Sequence, residues 1–287
     1  MIRDEENAVR IDLDEITINV RDDGAGPAVV LLHGWPDTGD VWRHQVPELV
    51  ARGYRVIAPD LRGFGGSTRP VEVSAYAARH HVADVVAVLD HLKIDRAHLV
   101  GHDWGAAVAW IAAASVPDRV ATLSALSVGH PAAFAHAGLR QLEKSWYMLL
   151  FQFAGVAEEW LSANQFRNLR RWSSHPDINE VVDRLSDPGA LTASLNVYRA
   201  NRPARSLIKP PRRLPPVKAP TLGVWSSRDL ALTEKSMTGS SDYVNGPWRY
   251  ERLEGVGHWM QLEAADELNA LLLDFLSQHR GTAQPPS

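Results

Sequence analysis

From Val9 to Val20 apolar and polar residues alternate (Val9, Ile11, Leu13, Ile16, Ile18, Val20), which predicts one or two antiparallel strands before a turn at Asp22-Asp23-Gly24. The pattern then changes to unbroken apolar runs: Ala28–Leu32, Tyr54–Ala58, Ala97–Val100, Ala121–Val128 and Thr221–Trp225. Such runs are expected of strands buried on both faces. Helical stretches lie between them, at Val41–Ala51, Ser74–Leu92 and Gly105–Ala114, and Leu262–Phe275 closes the chain. Strands alternating with helices imply an α/β fold built on a mostly parallel, doubly wound sheet, with its site at the carboxyl ends of the strands. Between Ser127 and Pro220 the alternation stops. That stretch is helical in character, rich in Trp and Arg, and leaves through the Pro/Arg run Lys209–Pro216. We therefore expect a core of residues 1–130 and 217–280, an inserted helical cap of residues 131–216, and a polar, disordered tail of residues 281–287.

Composition narrows the classes. With 45% hydrophobic and 22% charged residues and a formal charge of -4, the chain has the balance of a globular enzyme and no basic footprint for nucleic acid; Arg212-Arg213 reads as a solvated linker. It contains no cysteine, so it needs no disulfide and offers no thiolate metal site. The charged start Met1–Glu6 resembles no signal peptide, and no run approaches the ~18 apolar residues of a membrane span. A soluble, cytoplasmic protein without a membrane partner is the expectation.

Candidate chemistry centres on Gly101-His102-Asp103-Trp104-Gly105, between an apolar run and a helix. This is the setting of a strand-turn-helix nucleophile elbow, with aspartate in place of serine and glycines where strand and helix leave no room for Cβ atoms. Taken alone, such an aspartate reads as a helix N-cap before it reads as a nucleophile. Other segments fall where an elbow needs them. After the run ending at Leu32 comes His33-Gly34-Trp35-Pro36, whose Trp35 N–H, with that of Trp104, would form an oxyanion hole; His33 itself reads as structural. Trp225-Ser226-Ser227-Arg228-Asp229 places a carboxylate at the sheet's edge, and Gly255-Val256-Gly257-His258 a histidine just before the last helix. Nucleophile, acid and histidine thus follow in the order that this architecture requires. The glycine-rich Asp60–Ser67 lacks the lysine and spacing of a phosphate loop and reads as a tight structural turn. No two histidines fall in an H-E-x-x-H arrangement, so neither a metal nor any cofactor is expected.

On these motifs the chain resembles the α/β-hydrolase superfamily over nearly its whole length, and within it the aspartate-nucleophile branch of epoxide hydrolases, haloalkane dehalogenases and fluoroacetate dehalogenases. The leaving group separates them. Halide departs as a stable anion, whereas an epoxide oxygen leaves as a basic alkoxide and benefits from an acid such as a phenol. Epoxide hydrolases use two cap tyrosines for this, and the resemblance assigns the role to Tyr147, in a Tyr-x-x-x-Phe-Gln stretch, and Tyr198, in an Asn-x-Tyr-Arg stretch. The carboxylate-clamping arginines of fluoroacetate dehalogenases are missing: Trp104 and Ala107 stand there. Trp104 and Trp146 keep the haloalkane dehalogenase alternative open. Some dehalogenases carry their acid after the earlier strand, but Ser127–Pro131 has no carboxylate, which returns that role to Asp229.

The expected enzyme is therefore an epoxide hydrolase that takes a neutral hydrophobic small molecule and water to a vicinal diol. Asp103 would form a hydroxyalkyl ester, Asp229 and His258 would hydrolyse it, and Trp35, Trp104, Phe134, Trp146, Leu149 and Phe151 would line the pocket. An esterase-like hydrolase and a non-catalytic binding protein on the same fold are the rival classes.

Overall fold

The structure, a computed structural model, describes residues 8–201 and 213–283. The N-terminal Met1–Glu6, the first half of the Pro/Arg-rich return and the tail beyond Ala283 lie outside the described residues. Eight strands form one sheet: β1 (Ala8–Leu13), β2 (Ile16–Gly24), β3 (Ala28–Leu32), β4 (Arg55–Pro59), β5 (Ala97–His102), β6 (Val120–Leu126), β7 (Thr221–Ser226) and β8 (Trp248–Leu253). Their order is β1-β2-β4-β3-β5-β6-β7-β8, antiparallel for β1–β2 and β2–β4 and parallel elsewhere. From β3 the chain goes outward to β4 and then returns to lay β5 on the other side. This reversal opens a crevice at the carboxyl ends of β3 and β5, where open α/β sheets hold their ligands.

The unbroken apolar runs are explained by two cores, one on each face. Val30 and Leu32 of β3 point into one with Leu99 and Leu123, while Val29 and Leu31 point into the other with Val100, Leu222 and Val224. On the first face pack α2 (Ala78–His91) and α3 (Trp104–Ser115); on the second, α1 (Gln45–Ala51) and the closing α12 (Ala265–Gln278). Among the described residues, six helices, α4 (Pro131–Ala135), α5 (Leu139–Lys144), α6 (Trp146–Leu150), α7 (Val156–Ser173), α8 (Ile178–Leu185) and α9 (Ala190–Asn201), lie between β6 and β7. Short α10 (Glu234–Thr238) and α11 (Met260–Glu263) complete the helices named here.

Local departures from the sequence reading have identifiable causes. The turn expected at Asp22–Gly24 is strand, because Arg55 of β4 donates to both Asp22 carboxylate oxygens at 2.9 and 2.6 Å and holds the polar end of β2 in the ladder. Strand β8 went unrecognised. Among the described residues it pairs only with β7, and an edge strand is built from charge rather than an apolar run; its Arg249 meets Glu251 and Asp274. Gly39–Trp42 and Val73–Tyr76 are 3-10 turns preceding α1 and α2, not the starts of those helices. The tail expected to be disordered begins instead with a 3-10 turn, Arg280–Ala283, anchored by Arg280 donating to the carbonyls of Arg52 and Gly53.

Candidate active site

Asp103 sits between β5 and α3 with φ 50° and ψ −118°, a strained conformation of the kind that costs of order 1–3 kcal/mol and persists only where its surroundings enforce it. The enforcement is close packing. A Cβ on Gly105 would lie 2.0 Å from the Leu32 carbonyl oxygen, and one on Gly34 would lie 2.3 Å from the Asp103 Cβ. The carboxylate, at the crevice beside β3, accepts a hydrogen bond from the Trp35 N–H at 2.8 Å (Oδ1) and another from the Trp104 N–H. Burial pushes this carboxyl upward, while the facing His258 and the two N–H groups pull it back.

Asp229, in the loop after β7, is more deeply buried than Asp103, yet is held below the usual carboxylate range. Burial opposes that shift, but His258, the Ser127 hydroxyl and the Leu232 N–H outweigh it. Its Oδ2 accepts from His258 Nδ1 at 2.9 Å and from Ser127 Oγ; its Oδ1 accepts from the Ala231 and Leu232 N–H groups at 2.8 and 2.9 Å. With Nδ1 so engaged, the other ring nitrogen of His258 faces Asp103, Nε2 lying 3.9 Å from Asp103 Oδ2. Burial works against charge on His258, but Asp229 and then Asp103 and Asp37 push its pKa up to about 9. The structure thus brings Asp103, Asp229 and His258 into one constellation.

Tyr147 on α6 and Tyr198 on α9 are buried, with their rings 6.0 Å apart at 81°. The ring of Tyr198 stands edge-on to that of Trp104 at 5.1 Å. Burial, with Asp103 nearby, raises its phenol well above the ordinary value, so it stays protonated and able to donate. Trp35 and Phe151 pack against these rings: Trp35 lies 6.1 Å from Tyr198, and Phe151 is 5.5 and 5.0 Å from Tyr147 and Tyr198.

Residues 27–265 match the α/β hydrolase fold family. The chain belongs to the α/β hydrolase family. Among relatives, this hydrolase is 32% identical to epoxide hydrolase A of Mycobacterium tuberculosis, over 93% of this chain and 96% of that one. It is 35% identical to epoxide hydrolase 1 of Siraitia grosvenorii, over 92% and 96%. Among solved structures it superposes on an epoxide hydrolase from metagenomes of hot environments with a TM-score of 0.85 at 30% identity, covering 95% of this chain and 99% of that one. A mutant Bacillus megaterium epoxide hydrolase complexed with its naphthyloxy-propane-1,2-diol product gives 0.85 at 25% identity, covering 94% and 100%.

Around the site of this α/β hydrolase, some expected residues fall elsewhere. Leu149 is 50% exposed: α6 turns Tyr147 inward, and two residues on the helix has rotated to the outer side. Trp146, 46% exposed, packs on Trp160 and Trp172 and covers the aromatic cluster from outside. Phe134, on α4 and partly buried, packs on the core. Trp172 of α7 takes the inner place, 4.7 Å from Tyr147 and 6.0 Å from Trp35. Nothing local in the sequence marked Trp172, since only the packing of the helices between β6 and β7 brings it there. Asp37 was also overlooked, although it follows directly on His33–Pro36. Its carboxylate accepts from His175 Nε2 at 2.9 Å and Trp259 Nε1 at 3.0 Å, joining the segment after α7 to the loop after β8 beside His258. His33 bonds the Gly34 carbonyl and the Leu61 N–H, and Asp60 accepts from the Gly39 and Gly66 N–H groups, so both organise loops. Among the described residues, no helix is long and apolar enough to cross a membrane and no group of three or more His, Asp or Glu is placed to hold a metal ion.

Proposed function

We propose that this chain is an epoxide hydrolase that opens a neutral, hydrophobic epoxide to a vicinal diol through an ester on Asp103, with residues 131–216 acting as the cap over the site. The observation that carries the reading is the buried Tyr147–Tyr198 pair beside a carboxylate nucleophile. The diol product of the Bacillus megaterium relative supports it.

Asp103 attacks a ring carbon, the C–O bond breaks on the opposite side, and the alkoxide takes a proton from the tyrosine pair. Alkylation neutralises Asp103 and so removes one of the charges that hold His258 protonated. The imidazolium proton then returns to the tyrosinate, leaving His258 neutral. Next, His258 takes a proton from water as its oxygen adds to Asp103 Cγ, and the Trp35 and Trp104 N–H groups hold the tetrahedral oxyanion. Collapse expels the diol alkoxide, which takes that proton from His258. The Asp103 carboxyl returns its own proton to the imidazole, closing the cycle.

The dehalogenase alternative is disfavoured on a specific contact: Trp35 Nε1 donates to Ser194 Oγ at 3.1 Å, so that indole is not free to hold a halide. The test offers styrene oxide and a bromoalkane to the wild type and to His258→Gln. Diol formation by the wild type, with the mass of one substrate added to Asp103 in the variant, is expected. Bromide release without diol formation overturns the assignment.

A further inference from the structure

The loop after β6 brings Ser127 to the acid–histidine pair. Ser127 is fully buried, and its φ of 69° lies in the left-handed region that side chains other than glycine avoid. Its backbone is pinned there by its N–H donating to the Val224 carbonyl of β7 at 2.8 Å. The side chain makes two contacts, and both are in the site: Oγ donates to Asp229 Oδ2 and lies 3.0 Å from His258 Nδ1. Asp229 Oδ2 therefore receives two donors, the hydroxyl and the imidazole N–H, while Oδ1 receives the two backbone N–H groups. Removing the hydroxyl leaves one oxygen of a fully buried carboxylate with a single donor and frees the carboxylate to turn about its Cβ–Cγ bond.

We propose that Ser127 is a positioning residue for the second half of the reaction, holding Asp229 so that His258 keeps Nε2 toward the ester while water attacks. The proposal rests on the ester mechanism above. It separates two steps that share one nucleophile. Ester formation uses Asp103, its N–H donors and the tyrosines, none of which Ser127 is shown touching; ester hydrolysis uses His258, which it does.

The experiment uses Ser127→Gly and Ser127→Ala with styrene oxide. Glycine fits φ 69° without strain, so Ser127→Gly removes the hydroxyl while keeping or improving the backbone fit, and it serves if Ser127→Ala fails to fold. Ester formation and decay are followed by rapid quench and mass measurement of Asp103. Formation is expected to hold within about twofold while decay slows roughly 10- to 100-fold, the scale of one lost hydrogen bond to a charged group. The ester accordingly accumulates, and kcat and KM fall together. Decay at the wild-type rate, or equal slowing of both steps, overturns the positioning role. Failure to trap any ester in His258→Gln instead overturns the underlying mechanism, so the two failures are distinct.

Discussion

The two halves of the site are built by different physics. On the sheet side Asp103, Asp229 and His258 are fixed by hydrogen bonds between 2.8 and 2.9 Å and by a strained turn, each following the carboxyl end of a strand or lying in the loop after β8. On the cap side Tyr147 and Tyr198 sit among Trp35, Trp104, Phe151 and Trp172 at ring-centroid separations of about 5–6 Å. Directional contacts tolerate little displacement, whereas ring packing is adaptable. Asp103 is thus held rigidly, while Tyr147 and Tyr198 rest on a surface that substitution can reshape, so on the proposed reading substrate preference should be tunable from the helices between β6 and β7 alone.

The sharpest way to break this contrast is Asp103→Ala. Diol formation should fall by roughly 10⁴-fold or more, the scale on which loss of a covalent nucleophile falls. Residual activity within tenfold of wild type would show that the sheet side only binds. Next in size comes Tyr147→Phe combined with Tyr198→Phe. We expect ring opening to slow by roughly 10²- to 10⁴-fold, the range of general acid catalysis, while hydrolysis of ester already formed on Asp103 slows far less, since there the tyrosinate only receives the His258 proton. Single-turnover measurement separates the two steps, and slowing of hydrolysis alone would reverse the division of labour.

The same contrast governs what could be read from the chain. Asp103, Asp229 and His258 were legible because strand ends and glycines are local features, and the order of the three residues follows from the sheet's topology. Tyr147 and Tyr198 were legible only through the resemblance. Trp172 was not, and Leu149 was misplaced, because which side of a short cap helix faces inward depends on five neighbouring helices. Ser127 sat within the sequence argument, but only a carboxylate was sought there, and a hydroxyl that supports the acid from that position passed unnoticed. Strand β8 was missed because an edge strand need not look apolar.

Acid separates the two sides by stability. His33, His81, His98 and His102 lie in the core segments and are all depressed chiefly by burial, His81 to about 3 and His98 to about 4. A histidine that cannot protonate when folded but does so near pH 6.5 when unfolded adds nothing above that pH, and stability is lost progressively as the pH falls from there toward the folded value. For His81 alone the loss by pH 5 is about 2 kcal/mol, from about 1.4 kcal/mol per pH unit. Urea unfolding of wild type and His81→Leu at pH 7.5 and pH 5 should show the variant losing less by that amount. Equal losses would mean that His81 takes up its proton in the folded state.

The smallest expected effect tests the cap side most directly. Trp172 lies among the rings around the two tyrosines. Its ring packs on Tyr147 at 4.7 Å, on Trp146 at 5.9 Å and on Trp35 at 6.0 Å. Trp172→Leu keeps the site apolar but removes the surface that sets where the Tyr147 ring rests. A phenol displaced by about 1 Å donates less well to the departing oxygen, and kcat/KM for styrene oxide should fall about tenfold, corresponding to about 1.4 kcal/mol. Ester decay should be unchanged, because His258 and Asp229 are held from the other side. A bulkier epoxide should lose less than styrene oxide, since it can occupy the volume that the indole vacates. If decay slows as much as ring opening, the cap and the sheet side are mechanically one unit, and ring packing is no more forgiving than the hydrogen bonds beneath it.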